Sequence, residues 1–293
     1  MGRKSADPKI TEIVKGPKME ITEKTFKLSN HVVICNCNEK VKTIVEELQY
    51  KTTSAPFDII LLVQDKVLWE NNPKWHPQKT DEALFITLFG NPFDQTILQK
   101  ACIGTAKSAI ILADPAHGQL ADAQSTLMAV AIEKQNPQVQ TIQELILSVN
   151  REHLKAMNVD EVVCLGEISE KLIAQSCITP GVKNIFENLL TTENGTTQIF
   201  LPSLGESLAG RTFRQIAKKC IMADAPFIVM GYIISLPGFN LDGESKNSIK
   251  SVISVNPKKA GKDLLLSQYD KLIVIAYDPP ADIASYLQCT PAE

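Results

Sequence analysis

The chain has 293 residues, of which 44% are hydrophobic and 22% charged, so it can bury a sizeable core in one large domain or two ordinary ones. Its formal net charge of −3 gives no electrostatic reason to expect a nucleic-acid partner. The seven cysteines are an odd number and lie mostly in apolar sequence, which favours buried reduced thiols over disulfides or a metal–thiolate site. We expect a soluble polypeptide without a membrane span or signal peptide.

Residues 1–30 are polar and lysine-rich, which predicts a leader or linker. The apolar run Val32–Cys35 then predicts a strand that is buried on both faces. After a short turn, apolar residues recur at helical spacing, namely Val41, Ile44, Val45 and Leu48. A buried strand, a tight turn and a helix are the opening of a Rossmann-type βαβ unit.

The turn of this unit differs from a nucleotide-binding turn. A GxGxxG turn lets backbone amides and the helix N-terminus approach a pyrophosphate. Here the equivalent run from Cys35 to Lys40, CNCNEK, contains no glycine, and Glu39 places a negative charge at the anion-attracting end of the helix. The sequence therefore predicts a Rossmann-type architecture that does not bind NAD tightly.

A second buried strand is predicted over Phe57–Val63, followed by Gln64 and Asp65. In dinucleotide-binding folds an acid at this strand end holds the ribose, so Asp65 is a candidate ligand residue. A solvated side chain at a strand end is the alternative. Residues 66–83 read as an irregular or short helical connection.

The pattern then alternates between strands and helices up to residue 165. The predicted strands are 84–89, 108–113, 142–149 and 159–165, and the predicted helices are 93–101, 119–134 and 151–157. The helix 119–134 has a predicted apolar stripe, formed by Leu120, Ala123, Leu127, Val130 and Ala131. Apolar strands that alternate with helices predict an α/β fold, with a Rossmann-like parallel sheet and right-handed crossovers.

Two further helices, 168–177 and 182–190, are separated by Thr179-Pro180-Gly181, where the proline ends one helix and the glycine frees the turn. No strand follows them directly, so their apolar face packs either on the core or on another subunit. We expect pairing through this face, which contains Leu172, Ile173, Ser176, Ile185, Phe186 and Leu189.

The remainder of the chain is predicted to be a small α+β lobe after the polar linker 191–197. Its predicted strands are 198–202, 227–235, 251–256 and 271–277, with one helix at 210–220 and a long turn at 236–247. The predicted organisation is thus a leader (1–30), a Rossmann-like lobe (31–166), a crossover helix–turn–helix (167–192) and a C-terminal lobe (193–293).

Several collinear segments resemble the RCK family, the regulators of potassium conductance, also called TrkA-N plus TrkA-C. The likeness covers about residues 29–282 and is carried by HVVICNCNE, FGNPFDQTILQKACIGTAKSAIILAD, NREHLKAMNVDEVV, GRTFRQIAKK, PFIVMGYII and LLSQYDKLIVIAYDP. The most specific segment is LIAQSCITPGVKNIFENLL, which resembles the crossover helix and turn of Slo-type, calcium-activated large-conductance channels.

The resemblance implies a cytoplasmic ligand-sensing domain at the inner face of the cell membrane. Such domains pair through the crossover helices and assemble as an octameric ring on a potassium channel pore or a transporter. Ligand binding then changes the dimer interface and pulls on the pore. The alternatives are a nucleotide-binding regulatory subunit of a potassium uptake transporter and a Rossmann-fold oxidoreductase. We expect no enzyme, because the sequence shows no recognisable catalytic arrangement and a fold alone does not give catalysis.

The resemblance also points to a ligand, with calcium and an adenine nucleotide as the candidates. Calcium-gated prokaryotic members use an Asp at the end of the fourth strand, which Asp114 matches. The predicted end of the fifth strand, Ser148-Val149-Asn150, offers only neutral oxygens. A calcium site at Asp114 would therefore need Glu39, Asp122, backbone carbonyls or a second subunit, and the alternative is that Asp114 caps the next turn.

A weaker adenine nucleotide would use polar side chains at the strand ends. The candidates are Asn36, Asn38, Gln64, Asp65 and Asn91.

Overall fold

The computed structural model describes residues 12–13, 27–49, 56–78, 83–151, 159–192, 195–236, 250–280 and 283–284. The chain divides into two units, one formed by residues 1–50 with 54–180 and the other by residues 51–53 with 181–293. The division falls between Pro180 and Gly181, inside the predicted crossover. Gly181 has φ 92°, in the left-handed region that glycine adopts without strain.

The first unit contains a seven-stranded sheet. Its strands are β1 (Glu12–Ile13), β2 (Val32–Cys35), β3 (Ile59–Val63), β4 (Phe85–Phe89), β5 (Ser108–Ile111), β6 (Gln140–Leu145) and β7 (Glu161–Cys164). They lie in the order β1-β4-β3-β2-β5-β6-β7. Strands β2 to β7 are parallel, and β1 pairs antiparallel with β4 at the edge. The order reverses between β2 and β5, which makes this the topological switch point.

Helices cover both faces of this sheet. They are α1 (Lys40–Gln49), α2 (Lys66–Asn71), α3 (Gln95–Lys100) and α4 (Ala121–Gln135), and short 3-10 segments lie at Pro73–Trp75, Ile103–Thr105, Pro115–Leu120 and Ser148–Asn150. A further helix, α5 (Leu165–Ile178), follows β7 and contains no buried residue. One face of β2 packs with Val41 and Val45 of α1, and the other packs with Leu98 of α3 and Met128 of α4. Burial on both faces explains why the central strands read as continuous apolar runs.

Two local predictions for this unit are wrong. Leu120, Leu127 and Val130 are exposed, because α4 turns its other stripe inward, which contains Ala121, Ser125, Met128, Ala129 and Ile132. Met128, Ala129 and Ile132 of that stripe belong to the same buried cluster as Val33 of β2. Strand β6 ends at Leu145 and not at residue 149, because the next two backbone amides bond the Asp122 carboxylate. Residues 152–158 of the predicted helix 151–157 lie outside the described residues.

The second unit is the predicted α+β lobe. It contains α6 (Val182–Leu190), β8 (Gln198–Phe200), a 3-10 turn (Glu206–Leu208), α7 (Phe213–Met222), β9 (Phe227–Leu236), β10 (Lys250–Val255), α8 (Lys259–Lys262) and β11 (Lys271–Ala276). The strands form an antiparallel sheet in the order β10-β9-β11-β8. Phe213 and Ile216 of α7 pack on Tyr232 and Leu272, so one helix covers one face of the sheet. The predicted long turn lies outside the described residues from residue 237 onward.

Candidate functional site

The carboxyl ends of β2 and β5 form the crevice in which open α/β sheets bind ligands. The turn after β2 begins at Asn36, which has φ 67°, a left-handed conformation that asparagine tolerates. Its Nδ2 donates to the carbonyl of Leu112 at 2.7 Å, and Nδ2 of Asn38 donates to the carbonyl of Ala113 at 3.1 Å. Both asparagines are buried. The side-chain amides of the predicted ligand residues Asn36 and Asn38 thus donate hydrogen bonds to backbone carbonyls of the same chain.

A charged pair extends this network across the crevice. The Lys40 ammonium forms an ion pair with the Glu144 carboxylate on β6. The second Glu144 oxygen accepts the backbone N–H of Ala113 at 3.1 Å. Asn38 Oδ1 accepts the backbone N–H of Lys40 at 3.0 Å, so Asn38, Lys40, Glu144 and Ala113 form a closed circuit of polar contacts. Sequence reasoning missed Glu144, because no local pattern marks a partner 104 residues away.

The other nucleotide candidates lie at the ends of β3 and β4, which are neighbouring strands. Gln64 and Asp65 are exposed, and Asp65 Oδ1 caps α2 by accepting the Leu68 N–H at 2.9 Å. Asn91 Oδ1 accepts the Phe93 N–H at 3.0 Å in a local turn. These side chains thus lie at the carboxyl ends of neighbouring strands, where Asp65 caps a helix and Asn91 stabilises a local turn.

The acidic residues considered for calcium binding make different contacts. Asp114 is half-buried and lies 3.4 Å from Nε2 of His117. Asp122 is buried and accepts the N–H groups of Ile146 and Leu147 and the Nδ2 of Asn150, at 2.8, 3.0 and 2.8 Å.

Glu39, the other acidic candidate, is exposed. Among the residues that the structure describes, no group of three or more His, Cys, Asp and Glu side chains is placed to hold a metal ion. Asp122 thus serves the backbone after β6, which leaves Glu39, backbone carbonyls or a second subunit as further ligands for a calcium site at Asp114.

The pKa of the Cys37 thiol responds to its surroundings at the turn. Burial raises the pKa of its thiol to about 12, and the nearby carboxylates of Asp114 and Asp65 add to this rise. Both carboxylates therefore act on the same turn.

The two helices on either side of Gly181 expose apolar side chains. Neither α5 nor α6 contains a buried residue in the described chain. Ile173 is 72% exposed, and Ile185 and Phe186 are 59% and 45% exposed. The predicted partners Leu172, Ser176 and Leu189 are half-buried, and Ser176 Oγ donates to the carbonyl of Leu172 at 2.7 Å.

Sequence reasoning missed three exposed apolar residues of α5, which are Leu165, Ile168 and Ile178. The signal was present, since Leu165, Ile168 and Leu172 recur at i, i+3 and i+7. The apolar surface of the helix is thus larger than the predicted one.

Comparison with known proteins shows what the chain is similar to. Residues 27–143 match the family model described as the calcium-activated potassium channel slowpoke-like RCK domain. The calcium-gated potassium channel TvoK of Thermoplasma volcanium is 28% identical over 198 residues, which are 66% of this chain and 53% of the relative. Potassium channel protein 1 of Methanocaldococcus jannaschii is 25% identical over 174 residues, which are 59% of this chain and 47% of the relative. The chain thus spans about half the length of the curated relatives it matches.

Among solved structures, the human SLO3 gating ring has a TM-score of 0.58 and 16% identity, covering 89% of this chain and 46% of that chain. The fold is therefore similar to that of an RCK gating ring. Together with the family-model match, this confirms the predicted resemblance of the chain to RCK domains. Among the described residues, no helix combines the length and apolar character needed to cross a bilayer.

Proposed function

We propose that this chain is the ligand-sensing regulatory domain of a potassium channel, located at the inner face of the membrane, and that it acts on the pore through changes at the contact between paired copies. The relatives named as potassium channels support the assignment to a channel. The observation that carries the pairing mechanism is the exposed apolar surface of α5 and α6.

Helices with this exposure need a partner surface. Isolated helices of 14 and 9 residues, the lengths of α5 and α6, are marginal in water and usually depend on packing of an apolar face. On α6, Ile185, Phe186 and Leu189 share one side, and Lys183 and Glu187 form an exposed ion pair at 2.6 Å. Burying each apolar side chain contributes roughly 1.5–3 kcal/mol before the cost of association.

A second copy of the chain is the simplest partner, because a twofold axis brings the same apolar surface against itself in an isologous contact. Most soluble oligomers are built in this way. A bistable contact of this kind converts a small change at a ligand site into a rigid-body motion.

Phe186→Asp tests the pairing surface, since an unpaired charge is strongly unfavourable in an apolar contact. We expect a folded chain that sediments as a monomer. The matched control is Ile221→Asp, on α7 of the same unit, where the side chain is 80% exposed and the pairing helices are untouched. The control is expected to stay paired, and a Phe186→Asp chain that pairs as well as the control would contradict the proposed surface.

Calcium is the first ligand to test, because one relative is named as a calcium-gated channel. We expect calcium to shift the wild-type chain from dimer toward octamer in size-exclusion chromatography with light scattering. Asp114→Asn should weaken this response, because it removes one charge from a hard-cation site. An unchanged response in the variant would move the site elsewhere, for instance to Asp242-Gly243-Glu244, which lies outside the described residues.

Tight NAD binding is not expected at the crevice, because the amides of Asn36 and Asn38 are bonded to the end of β5. Isothermal titration calorimetry that gives a micromolar or stronger affinity for NAD would contradict this expectation.

A further inference from the structure

We propose that the Glu144 carboxylate is an internal ligand of the crevice, occupying a small anion-binding site that the chain itself builds. One carboxylate oxygen contacts the Lys40 ammonium, and the other accepts the Ala113 N–H at 3.1 Å. The Glu144 side chain is 9% exposed, so the contact is largely withdrawn from water. This assignment goes beyond the regulatory function and does not depend on the pairing of the helices.

The two groups that contact Glu144 are donors of the kind that bind oxyanions. Lysine binds phosphate as a point charge, and a backbone N–H donates a charge-assisted hydrogen bond. Lys40 is the first residue of α1, and Ala113 follows β5, so the donors come from separate elements and converge at the switch point between β2 and β5. An external anion at this place would need the same two groups.

Asn38 contacts the backbone of both donor residues without involving Glu144. Its Oδ1 accepts the Lys40 backbone N–H at 3.0 Å, and its Nδ2 donates to the Ala113 carbonyl at 3.1 Å. Removal of the Glu144 side chain therefore leaves the backbone of Lys40 and of Ala113 bonded to Asn38, with the ammonium and the N–H within reach of the vacated space. The variant should accept a small oxyanion that the wild-type chain excludes.

Inorganic phosphate is the probe, and the melting temperature is the readout. Phosphate also stabilises proteins non-specifically, so the response must be compared between variants at equal ionic strength set with sodium chloride. We expect Glu144→Ala to melt below the wild type. Phosphate should then raise its melting temperature by about 2–4 °C more than that of the wild type.

Two control variants isolate the site. Glu39→Ala removes an exposed carboxylate from the same turn and should respond to phosphate as the wild type does. The double variant Glu144→Ala/Lys40→Met lacks the cation and should lose the additional response. A Glu144→Ala chain that responds no more than the wild type, or a double variant that responds as strongly as Glu144→Ala, would overturn the proposal.

Should Glu144→Ala fail to fold, Glu144→Gln keeps an acceptor for the Ala113 N–H and removes only the charge. A double-mutant cycle with Lys40→Met then measures the coupling of the two residues in the melting temperature. We expect the combined loss to be smaller than the sum of the two single losses. Strict additivity would show that Lys40 does not hold the carboxylate and would overturn the proposal.

Discussion

Replacing Asp122 by asparagine removes one carboxylate oxygen from the point where the chain leaves β6. Asp122 is 4% exposed, and its carboxylate accepts the N–H groups of Ile146 and Leu147 and the side-chain amide of Asn150. The new amide group would point its own N–H at one of these donors. At least one donor therefore loses its acceptor, and the remaining hydrogen bonds lose their charge assistance.

The expected cost follows from those contacts. A hydrogen bond to a charged group contributes roughly 1.5–3 kcal/mol, and a neutral one about 1 kcal/mol. Ile146 and Leu147 are 38% and 43% exposed, so water replaces part of the lost bonding. We expect Asp122→Asn to reduce the free energy of unfolding of the first unit by about 2–3 kcal/mol.

Asp94→Asn is the matched control, because Asp94 caps α3 by accepting a single N–H, that of Thr96 at 2.8 Å. Asparagine and aspartate cap helices equally well, so a change below about 0.5 kcal/mol is expected. Urea denaturation gives the free energy, and hydrogen exchange gives the local protection of the Ile146 and Leu147 amides. Wild-type protection of both amides in Asp122→Asn, together with an unfolding free energy like that of the control, would refute the reasoning.

Three further predictions concern the core. Gly231→Ala should disrupt the β9–β10 pairing and lower the urea concentration at the midpoint of unfolding, because the added Cβ would lie 2.1 Å from the backbone oxygen of Ser254. The control Gly104→Ala should be tolerated, because a Cβ added there meets nothing within 4 Å. Burial lowers the pKa of His31 below its usual 6.5, so the fold favours the neutral ring. Stability should then fall as the pH drops below 6.5, and His31→Gln should reduce that loss in urea titrations at pH 7.5 and 5.5. With its pKa raised to about 12, Cys37 should resist iodoacetamide at pH 8 in the native chain and react after unfolding, as mass spectrometry would show.

The central strands were predictable because burial on both faces leaves short, continuous apolar runs such as IILLV in β3. The buried face of α4 was not predictable, because this helix has two apolar stripes. One contains Leu127 and Val130, and the other contains Met128 and Ile132. Periodicity alone does not decide between the two stripes, and only the folded sheet shows that Met128 and Ile132 face the core.

The contacts of the crevice could not be read from the sequence, because they join residues far apart in the chain. The absence of glycine from the turn correctly indicated that side chains fill it, as Asn36 and Asn38 do. The identity of their acceptors, and the pairing of Lys40 with Glu144, depend on β5 and β6 lying beside β2 in the folded sheet. Only the assembled topology brings these groups together.

The mass of the wild-type chain in solution tests the central claim most directly. Sedimentation equilibrium over a range of micromolar concentrations gives that mass without assuming a shape. If the chain is a regulatory domain that pairs through α5 and α6, the mass is twice the 32.3 kDa of one chain or a higher even multiple. A mass of 32.3 kDa at every concentration would contradict the account, because the apolar surface of these helices would then have no second copy to cover it.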